Sequence, residues 1–177
     1  MTNNDILRRL RYALNFNNST LIEIFKLSEH EIGPFEVDNL LKKEEEDGYV
    51  ECSGPVLELF LDGLVLYKRG RQDARPGQVH REVAELTNNA ILKKIRIALE
   101  LKEEDMLSIL KMADVSISKS ELSALFRREG QKNYKECGDQ FLRNFLQGLT
   151  IRYRGDRSTD MASAKVNYSR GDAENAE

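Results

Sequence analysis

The sequence contains one segment twice, at a constant offset of 85 residues. Residues 3–70 align with residues 88–155 without a gap, and 23 of the 68 aligned positions are identical. The stretch YVECSGPVLELFLDGL, which starts at Tyr49, returns as YKECGDQFLRNFLQGL, which starts at Tyr134. An ungapped match of this length is typical of two copies of one supersecondary unit. We therefore predict two tandem units, 3–70 (repeat 1) and 88–155 (repeat 2).

Each repeat shows four helical segments, and neither shows the alternation of apolar and polar residues that marks a strand. The first segment carries an apolar stripe at helical spacing, and the preceding Asn3 or Asn4 is a suitable N-cap. The third segment begins with a capping-box pattern, Ser118 followed by Glu121. Repeat 1 has Gly33, a proline and a glutamate at the same positions, which also favour a helix start. The predicted fold class is all-α, with roughly four helices in each repeat.

The fourth helical segment has almost no polar face in repeat 1, so we expect it to be central in its bundle. Ser53 and Asp139 are its predicted N-caps in the two repeats. Gly63 and Gly148 lie inside this segment, where glycine costs about 0.5–1 kcal/mol relative to alanine. We expect close approach of a neighbouring backbone to explain both glycines.

The remaining residues read as connections. Residues 71–87, which contain Pro76 and Gly77, are predicted to be a linker, with a short helix possible after the proline. Residues 156–177 are polar and aperiodic, and they are predicted to form a disordered tail.

The repeated cysteines, Cys52 and Cys137, are the most obvious candidates for chemistry. Neither belongs to a pair with metal-ligand spacing, and Glu51 or Glu136 precedes each one and would raise the thiol pKa. Free cysteine is often buried, so we interpret both as structural residues. Tyr49 and Tyr134 could form a duplicated polar pocket with these glutamates. We favour a loop anchor, with the ring on the core and the carboxylate on a helix N-terminus or an arginine.

Known signatures of catalysis and cofactor binding are missing from the sequence. It has no glycine-rich phosphate loop, no Ser-His-Asp order and no metalloprotease helix, so we predict no enzyme, metal or cofactor. No apolar run approaches the roughly 20 residues of a membrane helix. With two cysteines and no signal-peptide layout, the expected compartment is the cytoplasm.

Charge differs between the repeats. Repeat 1 has 8 basic and 13 acidic residues, net -5, whereas repeat 2 has 13 basic and 9 acidic residues, net +4. Opposite charge would help the repeats to pack on each other, or repeat 2 would present a basic face to an anionic partner. The candidate contacts for nucleic acid or another anion are Lys93, Lys94, Arg96, Arg127 and Arg128. The second and third segments of repeat 2 also resemble a helix-turn-helix in outline.

Several stretches resemble one family in particular. NNDILRRLRYAL, NNAILKKIRIALELKEEDMLSIL, the KNYKECGDQFLRNFLQGL run and the duplicated layout are similar to the YehS-like family of bacterial cytosolic proteins. This resemblance covers about residues 2–155. It implies two copies of an α-helical domain of unknown function, and it assigns no catalytic or binding residues.

The sequence therefore predicts a non-catalytic protein-interaction or regulatory module that binds a protein partner. The alternative is a nucleic-acid-binding regulator that uses the basic second repeat. The residues shared by the repeats are predicted to be a structural signature: Tyr49, Glu51, Cys52, Gly63, Tyr134, Glu136, Cys137 and Gly148.

Overall fold

The computed structural model describes the backbone of residues 1–71 and 85–171, and the side chains of residues 1–71 and 85–155. Within these ranges the chain forms eight α-helices and no strand, which confirms the all-α prediction. The helices are α1 (Asn3–Ala13), α2 (Asn18–Leu27), α3 (Pro34–Leu41), α4 (Gly54–Arg69), α5 (Asn88–Ala98), α6 (Glu103–Met112), α7 (Lys119–Leu125) and α8 (Asp139–Gly171).

The helices of the two repeats begin at equivalent positions. Each helix of repeat 1 starts 85 residues before its counterpart in repeat 2, so α1 to α4 correspond to α5 to α8. The last pair differs in length, because α4 ends at Arg69 whereas α8 continues to Gly171. The predicted disordered tail, 156–177, overlaps α8 and then leaves the described residues, and it stays a prediction. Most of the predicted linker, with its short helix, also lies outside the described residues.

The first helix of each repeat is capped by a threonine. Thr2 Oγ1 accepts a hydrogen bond from the Asp5 backbone N–H at 3.1 Å, and Thr87 Oγ1 accepts one from the Ala90 N–H at 3.2 Å. The prediction of Asn3 or Asn4 as N-cap is wrong, because both residues already lie within α1. Their amides have other partners, which are described below.

The predicted starts of α3 and α7 are confirmed. In α7, Ser118 Oγ accepts from the Glu121 N–H at 3.2 Å, and the Glu121 carboxylate accepts from the Ser118 N–H at 2.8 Å. In α3, the Glu36 carboxylate accepts from the Gly33 N–H at 2.7 Å. The two repeats thus begin the same helix with different residues.

Of the two predicted caps, Ser53 of α4 is confirmed and Asp139 of α8 is wrong. Ser53 caps α4, and its hydroxyl accepts from the Val56 N–H at 3.3 Å. Asp139 is the first residue of α8 rather than its cap. Its carboxylate accepts a hydrogen bond from Asn88 Nδ2 at 2.8 Å, which ties the start of α8 to the start of α5.

Both internal glycines lie at a helix crossing. A Cβ atom at Gly63 would lie 2.0 Å from the Ile24 carbonyl oxygen of α2, and one at Gly148 would lie 2.1 Å from the Ile109 carbonyl oxygen of α6. Real Cβ atoms do not approach an oxygen so closely, so only glycine fits at either crossing. The expected close approach of a neighbouring backbone is confirmed.

The first helix of each repeat packs on the last helix of the other repeat, an arrangement that we call the helix exchange. α1 packs mainly on α8, and α5 packs mainly on α4, while the contacts α1–α4 and α5–α8 within a repeat are smaller. These four helices form a closed ring, and α2 and α6 pack on its outside against α4 and α8.

In each of these pairs, α1–α8 and α5–α4, the two helices run in the same direction. The Met1 amine lies 2.8 Å from the Asp139 carboxylate at one end of the α1–α8 pair, and Arg154 donates to the Tyr12 carbonyl at 2.9 Å at the other. In the α4–α5 pair, Arg69 forms an ion pair with Glu100 at 3.5 Å near the helix ends. The buried apolar residues of both repeats accordingly form a single hydrophobic core.

Candidate functional site

A buried asparagine holds the Tyr-x-Glu-Cys segment of repeat 1. Asn4 Nδ2 donates to the carbonyl oxygens of Leu40 at 2.9 Å and Val50 at 2.8 Å. Asn4 Oδ1 accepts from the Cys52 N–H at 2.9 Å and from the Tyr49 hydroxyl at 3.1 Å. One amide therefore joins α1, the end of α3 and the segment that precedes α4.

Repeat 2 builds the same connection around Asn89. Its Nδ2 donates to the carbonyl oxygens of Leu125 and Lys135, each at 2.9 Å, and its Oδ1 accepts from the Cys137 N–H at 2.9 Å. Sequence reasoning missed this role, although the signal was present. An asparagine three residues before a core leucine, as Asn4 is before Leu7, lies on the buried stripe of a helix.

Both repeated cysteines lie in the core with raised thiol pKa values. Cys52 is 1% exposed and Cys137 is 2% exposed. Burial, and secondly the Glu51 carboxylate, raises the pKa of the Cys52 thiol to about 11. Burial raises the pKa of Cys137 to about 11 as well, and the contributing carboxylate is Asp139 rather than the expected Glu136. A thiol that stays protonated at neutral pH is a poor nucleophile.

The repeated tyrosines and glutamates separate in the structure. Tyr49 and Tyr134 are half-buried, and the Tyr49 hydroxyl bonds to Asn4, as expected for a loop anchor. Glu51 and Glu136 are exposed. Because Ser53 caps α4, Glu51 does not hold the start of that helix, the first of its two predicted roles. The second, an ion pair with an arginine, is not formed by either glutamate within residues 1–71 and 85–155.

Three of the five candidate basic residues make side-chain contacts within the protein. One is Arg127, whose Nη1 donates to the Lys132 carbonyl at 2.8 Å. Lys94 Nζ lies 3.1 Å from the Glu58 carboxylate and 2.5 Å from the Asp62 carboxylate, and so pairs α5 with α4 of the other repeat. Arg96 Nε donates to the Leu101 carbonyl at 3.1 Å, and its guanidinium lies 4.6 Å from the centre of the Phe126 ring. These contacts favour packing as the role of Lys94 and Arg96.

One cleft, which we call the repeat-2 cleft, brings together Lys93, Arg127 and Arg128. Its volume is about 190 Å³, and its lining residues are Thr87, Asn89, Ala90, Lys93, Leu125, Phe126, Arg127, Arg128, Glu129 and Tyr134. Lys93, Arg127 and Arg128 are exposed. Three cations against the single Glu129 carboxylate give the lining a net charge of +2.

Repeat 1 has a cleft at the equivalent place, which we call the repeat-1 cleft. It measures about 220 Å³ and is lined by Thr2, Asp5, Arg8, Lys43, Glu44, Glu45 and Tyr49. Two cations against three carboxylates give a net charge of -1. Arg8 is moreover paired with Asp5 and donates to the Lys42 carbonyl at 2.7 Å. The fold therefore forms this cleft twice, with opposite charge.

The helix-turn-helix outline receives little support. α7 is only seven residues long, and six residues separate it from α6. Lys119 at its start is paired with Glu103 of α6 at 3.1 Å, and Glu121 is exposed beside it. Arg127 and Arg128 follow α7 rather than lying on it. The candidate recognition helix thus presents no unpaired basic face within the described residues.

A larger groove lies at the start of α3 in repeat 1, and we call it the α3 groove. It has a volume of about 520 Å³ and is lined by Ile22, Lys26, Glu31, Ile32, Gly33 and Glu36. Phe35, between two of these lining residues in the chain, is 74% exposed. The groove lining combines two half-buried isoleucines with two carboxylates and one lysine.

Within the described residues, no group of three or more histidine, cysteine, aspartate or glutamate side chains is placed to hold a metal ion. No helix in this part of the chain has the length and apolarity that crossing a membrane requires.

The repeat boundaries coincide with a known protein family. The family model described as "Protein of unknown function (DUF1456)" matches residues 3–70 and, separately, residues 88–155. The chain belongs to the DUF1456 family. The Uncharacterized protein YehS of Escherichia coli (strain K12) is 42% identical over 153 residues, which are 86% of this chain and 96% of that protein. No solved structure matches the chain. The resemblance inferred from the sequence motifs is confirmed, and this chain carries the domain as a tandem pair.

Proposed function

We propose that this DUF1456 protein is a non-catalytic protein-interaction module of the cytoplasm, and that its α3 groove binds a partner protein. The observation that carries the proposal is the 74% exposure of Phe35, which lies in the chain between the lining residues Gly33 and Glu36. Duplication supplies an internal comparison, because Ser120 occupies the equivalent position in α7. Since repeat 2 forms the same helix start with a serine, the fold does not require an aromatic residue there.

The lining of the groove indicates the chemistry of the partner. Ile22 and Ile32 offer apolar surface. Two carboxylates, of Glu31 and Glu36, against the single cation of Lys26 give the lining a net charge of -1, in a repeat whose net charge is -5. In repeat 2 a serine replaces Glu31, so this acidic and aromatic combination is specific to repeat 1. Such a surface fits a basic segment with apolar anchor residues.

The repeated cysteines support a non-catalytic role. Both thiols are buried, their pKa values are about 11, and each is next to a backbone group bound by the asparagine. The asparagines and cysteines that the two repeats share therefore serve folding. What differs between the repeats, at the surface, is where we place binding.

The proposal is tested by site-specific photocrosslinking in the native cell. A photoreactive phenylalanine analogue at position 35 is expected to capture one protein, whereas the same analogue at position 120 is the matched control. The Phe35→Ser variant, which copies repeat 2, should bind the captured protein about tenfold more weakly or worse, as expected for an aromatic anchor. Identical capture patterns at positions 35 and 120 would contradict the proposal.

Nucleic-acid binding by repeat 2 is the second candidate, and the observation that favours it is the meeting of Lys93, Arg127 and Arg128 at one cleft. Lys94 and Arg96 are already engaged within the protein, and Arg127 has left only the N–H groups that do not donate to Lys132. Three phosphate contacts are therefore the upper limit among the five candidates. A plot of the logarithm of the affinity for a DNA duplex against the logarithm of the salt concentration should then have a slope of about -2.7, at -0.9 per contact. A mobility-shift titration at three salt concentrations measures this slope, and no shift at low salt excludes this candidate.

A further inference from the structure

We propose that the repeat-2 cleft binds a phosphate monoester group. This site is separate from the α3 groove, and its test is independent of the proposed protein partner. The fold builds two clefts from equivalent positions. In the repeat-1 cleft carboxylates outnumber the cations, whereas in the repeat-2 cleft the cations outnumber the single carboxylate.

The clefts share their framework. Thr2 corresponds to Thr87 and Tyr49 to Tyr134, so each cleft lies between the capped start of the first helix and the ring of the anchoring tyrosine. Each also has a basic residue one turn into that helix, Arg8 in repeat 1 and Lys93 in repeat 2. The framework alone therefore does not determine the ligand.

Two replacements change the charge. Asp5 of repeat 1, which pairs with Arg8, becomes Ala90 in repeat 2, and Glu45 becomes Gly130. The lining thereby loses two carboxylates and gains Arg127. Within residues 1–71 and 85–155, Lys93 and Arg128 take part in no ion pair, in contrast to Arg8.

The arrangement suits a compact dianion. The Lys93 ammonium and two guanidinium groups offer charge-assisted hydrogen bonds, and the Tyr134 hydroxyl can donate another. Of the guanidinium groups, that of Arg127 already donates through Nη1 to the Lys132 carbonyl at 2.8 Å, so its remaining N–H groups are the ones available. The first turn of α5 itself carries no acidic residue, in contrast to that of α1, so its N–H groups add positive potential. The nearby Asp139 carboxylate is already bound by the Met1 amine and by Asn88 Nδ2. Glu129 is the opposing charge in the lining, and it leaves a net +2 to match a phosphate monoester, which carries about -1.5 to -2 at neutral pH.

The test uses the full chain and inorganic phosphate as the probe. Amide chemical shifts recorded during a phosphate titration should move saturably for residues 87–90 and 127–130. The repeat-1 residues 2–5 and 42–45 are the internal control and should stay still. Parallel titrations with adenosine monophosphate and with phosphoserine distinguish a nucleotide from a modified protein as the source of the group.

The decisive variant is Ala90→Asp, which gives the repeat-2 cleft the carboxylate of repeat 1. Asp5 forms a capping box with Thr2, so an aspartate at position 90 is expected to do the same with Thr87 and to leave the fold intact. Phosphate affinity should fall about tenfold or more, because the new carboxylate pairs with Lys93 and repels the ligand. Thermal melting of the same sample verifies that the variant is folded.

Three outcomes would overturn the proposal. Equal phosphate affinity in the wild type and the Ala90→Asp variant would show that the cleft is not the site. Shifts spread evenly over the basic surface would indicate nonspecific ion binding. Binding of a DNA duplex through these residues without any response to inorganic phosphate or either monoester would assign the cleft to nucleic acid instead.

Discussion

In each repeat a buried asparagine, Asn4 or Asn89, holds the Tyr-x-Glu-Cys segment through its side-chain hydrogen bonds. The cysteine of that segment is bound through its backbone N–H. Asn4 makes four hydrogen bonds, and its partners include the backbone of Cys52 and the hydroxyl of Tyr49. It is 1% exposed, and its bonds to the Leu40 carbonyl and the Cys52 N–H are buried, whereas those to Val50 and Tyr49 are partly buried. Sequence reasoning found the anchoring tyrosine and the buried cysteine but assigned the asparagine to a cap. A short polar residue beside a helix start fits both roles in the sequence, and only the packing of α1 decides between them.

Replacing Asn4 with alanine should destabilise the protein by about 2–4 kcal/mol, because two backbone carbonyls and one N–H lose a buried partner. Asn3→Ala is the matched control, since Asn3 Nδ2 makes a single hydrogen bond, to the Cys52 carbonyl at 3.0 Å. Its expected effect is about 1 kcal/mol. Chemical denaturation of both variants measures the difference, and equal stability of the two would refute the central role of Asn4.

The buried thiols predict a loss of stability in alkaline solution. Folding raises the pKa of Cys52 and of Cys137 from 9.0 to about 11, so the folded state favours the protonated thiol. Their contribution to stability is fully present below pH 9 and is lost as pH rises toward 11. The unfolding free energy of the wild type should therefore fall more between pH 9 and pH 11 than that of the Cys52→Ala, Cys137→Ala double variant. Parallel pH profiles would contradict this interpretation.

The elements of the fold were largely predictable, because helix boundaries depend on local chemistry. Ser118 with Glu121, and Gly33 with Glu36, mark the same helix start by different hydrogen bonds. The glycines of α4 and α8 were also informative, since glycine within an apolar helix implies a close neighbour. The sequence did not reveal which helix approaches, because an apolar stripe does not specify what covers it.

At the scale of one helix crossing, Gly63→Ala should be severely disruptive, although alanine favours helix. The new Cβ would lie 2.0 Å from a backbone oxygen, so α2 and α4 must move apart, at a cost of at least about 1–3 kcal/mol. Gly155→Ala is the control, because a Cβ added at that position in α8 would meet no atom beyond the adjacent backbone of its own helix within 4 Å. It should leave the thermal midpoint unchanged or raise it. Similar midpoints for both variants would show that the crossing is not tight.

The whole molecule is more integrated than two consecutive domains. Each repeat gives its first helix to the last helix of the other, and the two contacts are related by the same offset of 85 residues. The charge difference between the repeats is partly explained by this exchange. Lys94 of repeat 2 meets Glu58 and Asp62 of repeat 1, whereas the equivalent contact would bring Arg9 to Arg143 and Gln147.

This exchange predicts how the separated repeats behave. A single repeat exposes the faces that α8 or α5 would cover, and a second copy can supply the missing helix in both directions. In a pair of repeat-1 fragments, Arg9 would take the place of Lys94 and face Glu58 and Asp62. In a pair of repeat-2 fragments, Lys94 would face Arg143 instead. Residues 1–71 should therefore dimerise at lower concentration than residues 85–155.

Sedimentation equilibrium of the two fragments tests this order, and an equimolar mixture is the control because it restores the native pairing. The mixture should form the most stable dimer, and added salt should narrow the difference between the fragments, because the half-exposed ion pairs of Lys94 are screened. If both fragments are folded monomers and do not associate when mixed, the contacts between the first helix of one repeat and the last helix of the other contribute little to folding. The hydrophobic core must then be interpreted as two separate cores.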